Sequence, residues 1–272
     1  MRHLISLKEQ SKEDILTILK LAKKLKEKRT KGVLTNYLPN KNLIMLFQKT
    51  STRTRLSFEV AMTELGGHAI YLDIRTTQVS LSDFKDEIKA IMRFGDVLMF
   101  RAIKAEDVLK AASFNKIPVI DACSEKYHPC QALGDIFTMM EKSGVNKIKK
   151  IAWLGIGNNV SNTLKLAAAK LGINIALICP EVDRESIDKQ LNQMADRTGK
   201  VFYTKNIKEG LAGADYVHTD TWVNMEFFEN GKIKPNFKGE YQKRLKIFKP
   251  YQLSLELIKK YCPKAKIMHC MP

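Results

Sequence analysis

Short apolar runs rich in Ile, Val and Leu alternate along this chain with longer stretches of helical periodicity, and this alternation limits the possible folds more than any other feature. The runs read NLIMLF, HAIYLD, DVLMFR and IPVIDAC, then IAWLGIG, INIALICP, KVFYTK, DYVHTD and AKIMHC. Runs that are apolar throughout suit strands covered on both faces, and a helix between consecutive strands makes parallel pairing the natural arrangement. Right-handed crossovers then put helices on both sides of each sheet. The expected fold class is α/β, built from mostly parallel, doubly wound sheets.

The segment HPCQALGDIFTMMEKSGVNKIKK separates the fourth run from the fifth. Pro129 suits a first helical turn, Leu133, Ile136, Phe137 and Met140 recur at helical spacing, and Gly144 ends the pattern. A length of 272 residues exceeds the usual single domain. Two doubly wound domains are therefore expected, 1–142 and 143–272, joined by this helix.

Lysine and arginine outnumber aspartate and glutamate 46 to 29, a formal charge of +17. The lysines are scattered among apolar and acidic positions, as in LAKKLKEKRTKG, which reads as a solvated surface rather than a nucleic-acid stripe. Neither paired Cys/His zinc spacing nor an aromatic RNA-binding segment is visible, so nucleic acid is not an expected partner. A net positive field does suit a small anionic substrate. No apolar run approaches the ~20 residues that span a bilayer, and the amphipathic start MRHLISLKEQSKEDILTILK carries acids unlike a signal peptide, so a cytoplasmic protein without membrane contact is expected. Cys123, Cys130, Cys179, Cys262 and Cys270 form no C-x-x-C pair, which argues against a disulfide framework and a zinc site.

In open parallel sheets, ligands collect beyond the carboxyl ends of strands. The stretch FQKTSTRTRLSFEVAMTELGG lies at such a place. It sets Thr50, Ser51, Thr52 and Thr54, with the guanidinium groups of Arg53 and Arg55, at the start of a helix whose apolar stripe is Leu56, Val60, Ala61 and Leu65. Free N–H groups at a helix N-terminus, hydroxyls and guanidinium together suit a compact dianion such as phosphate. Helix capping with solvated arginines is the plainer reading of the same residues. Arg101 closes the third strand and His128 opens HPCQ after the fourth. With Gln131 one turn along, these two can donate to a carbonyl oxygen and engage an amide beside the phosphate.

At this point the residues resemble the aspartate and ornithine carbamoyltransferases. STRTRLSFEVA looks like that family's carbamoyl-phosphate turn, HPCQALGD like its interdomain motif, and HTDTW with MHCMP like its ornithine branch. The resemblance implies that Ser51, Thr52, Arg53 and Thr54 hold the phosphate, that Thr54, Arg101 and His128 polarise the carbonyl, and that Gln131 takes the amide. It further implies that Asn159 and Asp220 hold the α-carboxylate and α-amino group of ornithine, with Asn224 and Met225 in the acceptor loop. Cys270 sits by the attacking amine in that scheme, and both it and Met271 belong to the carbamoyl-phosphate site. Gln78 matches a glutamine that reaches a neighbouring subunit, which implies a homotrimer or a multiple of trimers and an active site between domains that a neighbour completes. Catalysis falls to Arg101, His128, Asp220 and Cys270, with no cofactor and no metal. A neutral primary amine attacks the carbamoyl carbon, charge grows on the oxygen and phosphate departs without a covalent enzyme intermediate.

Three features depart from the family pattern. Asn224, Met225 and Glu226 stand where the ornithine branch reads SMG, which opens putrescine or N-acyl-ornithine as acceptor, or a poorly catalytic binding paralogue. VSLSDFKD after Gln78 lacks the expected basic residue. The chain stops at Pro272, just after HCMP, where the resemblance leads one to expect a further arginine-bearing segment and helix. A nicotinamide-dependent dehydrogenase is a separate reading of IAWLGIGNNVSN, although the third glycine of the dinucleotide fingerprint is missing and Glu181 comes late.

Overall fold

In the computed structural model of the protein, which describes residues 1–223 and 227–270, every one of the nine apolar runs is a strand. The chain forms two compact units, Met1–Phe137 and Thr138–Pro272.

The first unit opens with helix α1 (Lys12–Thr30), which Ser11 starts through a reciprocal capping box with Asp14 and which buries Ile15 and Leu19. There follow β1 (Asn42–Phe47), α2 (Thr52–Glu64), β2 (His68–Asp73), α3 (Phe84–Ile91), β3 (Val97–Arg101), α4 (Ala105–Ser113) and β4 (Val119–Cys123). Helix α5 (Pro129–Ser143) then runs across the division between the units. The sheet order is β2-β1-β3-β4 and all pairs are parallel. Leu43, Met45 and Phe47 of β1 pack with Met99, Ala122 and Met62 of α2, so this central strand is buried along nearly its whole length. Leu4 adds a single parallel bridge beside Ile120, an edge contact that the sequence does not announce.

Because β1 has β2 on one side and β3 on the other, the order of winding reverses between β1 and β3. Register pairs Phe47 with both Asp73 and Arg101, so the carboxyl ends of three strands stand level. A crevice opens where the helices leaving such strands diverge, and this is where open α/β sheets bind ligands.

The second unit repeats the device. Its elements are β5 (Lys150–Leu154), α6 (Asn159–Lys170), β6 (Asn174–Ile178), α7 (Lys189–Asp196), β7 (Val201–Thr204), α8 (Ile207–Leu211) and β8 (Tyr216–Thr219). After them come a short hairpin of β9 (Phe228–Glu229) and β10 (Lys232–Ile233), α9 (Lys238–Phe248), α10 (Leu255–Tyr261) and β11 (Lys266–His269). The parallel order β11-β8-β5-β6-β7 puts its reversal between β5 and β8. Ala152, Leu154, Ile178, Leu211, Val217 and Ile258 form the core beneath it. Among the described residues no helix is long and apolar enough to cross a membrane.

Candidate active site

Among the described residues, side chains singled out in the sequence gather at the winding reversal of each unit. In the first, Ser51 is the N-cap of α2, its backbone extended and its hydroxyl accepting from the Thr54 N–H at 3.4 Å. The Ser51 hydroxyl donates to Thr54 Oγ1 at 3.0 Å, and Arg101 Nη1 donates to the same oxygen at 3.2 Å. Thr54 thus ties the helix that follows β1 to the end of β3.

The first turn of α2 holds no acidic residue, so the positive end of its backbone dipole has no compensating side chain there. Arg101 Nε is buried and has no hydrogen-bond partner among the described residues. A buried guanidinium N–H left unmatched is costly, and an anion or a polarised carbonyl at this place would satisfy it. Thr52 and Arg53 are exposed at the same helix start. Arg55 does something else: its Nε pairs with Glu59 at 3.1 Å and its guanidinium lies 4.1 Å from the Tyr71 ring centroid. The expectation that both arginines serve the dianion is corrected in this respect, because an aromatic face on the adjacent strand and a carboxylate one turn along claim Arg55.

His128 precedes the first turn of α5, where its carbonyl accepts from Ala132 N at 3.1 Å. One turn along that helix, Gln131 Nε2 donates to Asp135 Oδ1 at 3.0 Å. A carboxylate only accepts, so Asp135 fixes the amide orientation and leaves Gln131 Oε1 to receive N–H groups. Cys130 lies between His128 and Gln131 in the chain, and burial pushes its thiol up to about 12. It stays protonated at neutral pH and is no nucleophile. Gln78, itself exposed, begins a 3₁₀ turn after β2 and is not among the residues drawn to Thr54 by any hydrogen bond described.

In the second unit, Asn158 caps α6 by accepting from Ser161 N at 3.0 Å, and its amide Nδ2 donates to Asp220 Oδ2 at 2.8 Å. That contact crosses the β5–β8 reversal. The other carboxylate oxygen of Asp220 accepts from Thr221 N at 2.7 Å and from Cys270 Sγ at 3.0 Å. Asp220 and Cys270, both singled out in the sequence, therefore stand in direct contact. Asn159 lies beside them at the first position of α6, its Oδ1 accepting from Val160 N at 2.9 Å. Asn158 escaped the sequence reading; the reciprocal cap N-x-x-S in NNVS is the signal that could have found it. Asn224, Met225, Glu226 and Met271 lie outside the described residues.

The strand end leading to Asp220 is held from several sides. Thr219 Oγ1 donates to Leu154 O at 2.7 Å, Arg244 Nη1 donates to the Trp222 carbonyl at 2.8 Å, and the Trp222 ring stacks on buried Phe248 at 5.9 Å. The glycine turn after β5 is also closed over: Gly157 exchanges backbone bonds with Glu181 and Asp183, and a Cβ there would stand 3.0 Å from Val182. A dinucleotide pyrophosphate needs that backbone open, which argues against the dehydrogenase reading. Among the described residues no three His, Cys, Asp or Glu side chains converge as metal ligands would.

Comparison with known proteins finds two family matches that together span nearly the whole chain. Residues 2–141 match the aspartate/ornithine carbamoyltransferase, carbamoyl-P binding domain, and residues 147–272 match the aspartate/ornithine carbamoyltransferase, Asp/Orn binding domain. Ornithine carbamoyltransferases of Archaeoglobus fulgidus and Pyrococcus abyssi are 39% and 37% identical across all of this chain, which covers 85% and 84% of their lengths. Among solved structures, the Pyrococcus furiosus ornithine carbamoyltransferase superposes with a TM-score of 0.88 at 36% identity, over 100% of this chain and 85% of that one. The anabolic enzyme of Campylobacter jejuni gives 0.86 at 34% identity, over 100% and 86%.

Proposed function

Since the chain belongs to the aspartate/ornithine carbamoyltransferase family and is a carbamoyltransferase, we propose that it transfers the carbamoyl group of carbamoyl phosphate to the δ-amine of L-ornithine in the cytoplasm, giving citrulline and phosphate. The observation that carries this reading is the buried, unmatched Arg101 Nε beside Thr54 at the head of α2. A site built this way has donors waiting for charge on oxygen.

Ser51, Thr52, Arg53 and Thr54 hold the phosphate, with N–H groups of the first turn of α2 contributing. Arg101, His128 and Thr54 donate to the carbamoyl oxygen, and Gln131 Oε1 accepts from its amide nitrogen. On the second unit Asn159 and Asp220 engage the amino acid, and Cys270 stands by the δ-amine. An alkylammonium must first lose a proton, since only the free base has a lone pair. The nitrogen then attacks the carbamoyl carbon, the C=O electron pair moves to oxygen, and the C–O bond to phosphate breaks as the oxyanion collapses. The Asp220–Cys270 contact gives the departing amine proton an acceptor pair. Fixed donors at the oxyanion typically account for factors of ~10²–10³ in rate each.

A homotrimer accompanies this proposal. Leu81, three residues after exposed Gln78, is 81% exposed, and Leu56 and Val60 stand exposed on the outer face of α2. Apolar side chains set out in this way suit a covered interface. Light scattering should give three times the chain mass or a multiple of that; a monomer at micromolar concentration would contradict it.

The acceptor is tested with purified protein, carbamoyl phosphate and a panel of ornithine, putrescine, N-acetyl-ornithine, lysine and aspartate. Ornithine should give the highest kcat/KM, with citrulline as product. Faster turnover of another amine would overturn the assignment of the acceptor, and no turnover of any would overturn the enzyme's proposed reaction.

A further inference from the structure

Asp121 is fully buried in β4, seven positions before His128, and takes no part in the chemistry described above. Its backbone N–H donates to Leu4 O at 2.8 Å, and its strand neighbour in register is Phe100. One carboxyl oxygen, Oδ2, accepts from the Ser124 hydroxyl at 2.7 Å. The other, Oδ1, is buried with no hydrogen-bond partner among the described residues.

Ser124 passes the contact on. Its Oγ accepts from Tyr127 N at 3.3 Å and its backbone N–H donates to Tyr127 O at 2.9 Å, closing the tight turn 124–127. Tyr127 is itself buried, and the next residue is His128 at the start of α5. The Asp121 carboxyl is thus two side-chain links from the backbone that sets where His128 stands. A polar group this deep, and only partly satisfied, is expensive to keep unless its position is used.

The surroundings of the carboxyl decide its charge. The titratable groups that bear on it are Cys123 on its own strand, Glu125 in the turn and Cys130 on α5, while Phe100 and Leu4 on the flanking strands are apolar. None of these is a cation, and Glu125 is an acid whose carboxylate is already occupied by the Ala105 N–H. An ion at Asp121 would have the Ser124 hydroxyl and the Cys123 backbone N–H as donors but no counter-charge among these groups, so burial penalises it more than the neutral acid. Burial accordingly holds this carboxyl well above the usual carboxylate range.

We propose that Asp121 is a positioning residue for carbamoyl transfer: its carboxyl, acting through Ser124, holds the 124–127 turn that presents His128 to the carbamoyl oxygen. This inference rests on the proposed role of His128, so its test is built to separate the two.

Three variants are compared with the wild type: Asp121→Asn, which keeps an uncharged acceptor for Ser124; Asp121→Leu, which fills the space without one; and Ser124→Ala, which breaks only the link. kcat and KM for carbamoyl phosphate are measured separately, and the His128 ring is followed by ¹⁵N NMR, assigned with His128→Gln. Asp121→Leu and Ser124→Ala should lower kcat by ten-fold or more and shift the His128 ring signal. Asp121→Asn, which keeps an acceptor for Ser124, should retain most of the wild-type kcat and leave the His128 ring signal in place. Unchanged kcat in Ser124→Ala, or a loss in Asp121→Asn as large as that in Asp121→Leu, overturns the proposal. If His128→Gln is fully active, the role of His128 in transfer fails; Asp121 is then judged by the ring signal alone, and an unmoved signal in Ser124→Ala overturns the positioning as well.

Discussion

Thr54 and Arg101 stand 47 positions apart in the chain, yet one hydrogen bond of 3.2 Å joins them. At this scale a side chain's use depends on which partner claims it first. Arg101 keeps a buried N–H uncommitted, while Arg55, in the same short motif as Arg53, is drawn away by Glu59 and Tyr71. Lys165 shows the opposite case, a charge with a structural cost. It is almost fully buried in α6, its Nζ donating to Asn192 Oδ1 at 2.6 Å, and burial lowers it from 10.5 to about 8. Between those pH values the unfolded chain holds a proton that the native state has released, so stability should rise as pH increases from 8 to 10.5. At pH 7 the protonated lysine costs up to roughly 3 kcal/mol at ~1.4 kcal/mol per pK unit. Lys165→Met should therefore raise the midpoint of thermal unfolding at pH 7 and flatten the rise above pH 8. An undiminished rise in that variant would show that another group is responsible.

Among elements, the two that matter most for the cluster in the second unit are β5 and β8, which meet side by side and send Asn158 and Asp220 out of the same edge. Asn158 serves two ends at once, capping α6 and orienting Asp220. Its replacement by Ala should cost about 1 kcal/mol of stability from the lost cap. Acceptor KM should rise several-fold while carbamoyl-phosphate affinity, measured by calorimetry, stays within two-fold. Equal losses in both affinities would mean that Asn158 supports the fold in general rather than the acceptor site. The nine strands of the two sheets were legible because each is a short, largely apolar run bounded by turn residues, and such runs have few alternatives to a strand, even where the edge strands β7 and β11 stay largely exposed. The β9–β10 hairpin was not: its strands of two residues bury almost nothing, so they leave no apolar pattern. Asn230 and Gly231, both with positive φ, are its one sequence signal. The winding reversals were likewise hidden, since strand order is a matter of long-range pairing. That is why residues at strand ends could be singled out from the sequence, but the contacts Thr54–Arg101 and Asn158–Asp220 could not.

For the whole molecule, one architectural device appears twice: a parallel sheet whose winding reverses beside its first strand, with polar side chains gathered at the reversal. One copy gathers hydroxyls, a helix N-terminus and guanidinium; the other gathers a carboxylate, an amide and a thiol. These complementary sets suit a dianion and an amine respectively, and a surplus of 17 positive charges favours the encounter with the anion. The family resemblance read from STRTR, HPCQ and HCMP was borne out by the matches along the whole chain. What those motifs could not convey is how the side chains are committed, as the diversion of Arg55 and the orientation of Gln131 by Asp135 show.

The account rests on the first of those sets gripping the leaving group of carbamoyl phosphate. Its most direct test is a crystal structure with a bisubstrate mimic that joins a phosphonate to the ornithine chain, paired with calorimetry on Arg53→Ala. The phosphonate should lie at the head of α2 against Ser51, Arg53 and Thr54, its carbonyl toward Arg101, and Arg53→Ala should weaken binding at least ten-fold. A phosphonate seated elsewhere, or unaltered affinity in the variant, would contradict the account.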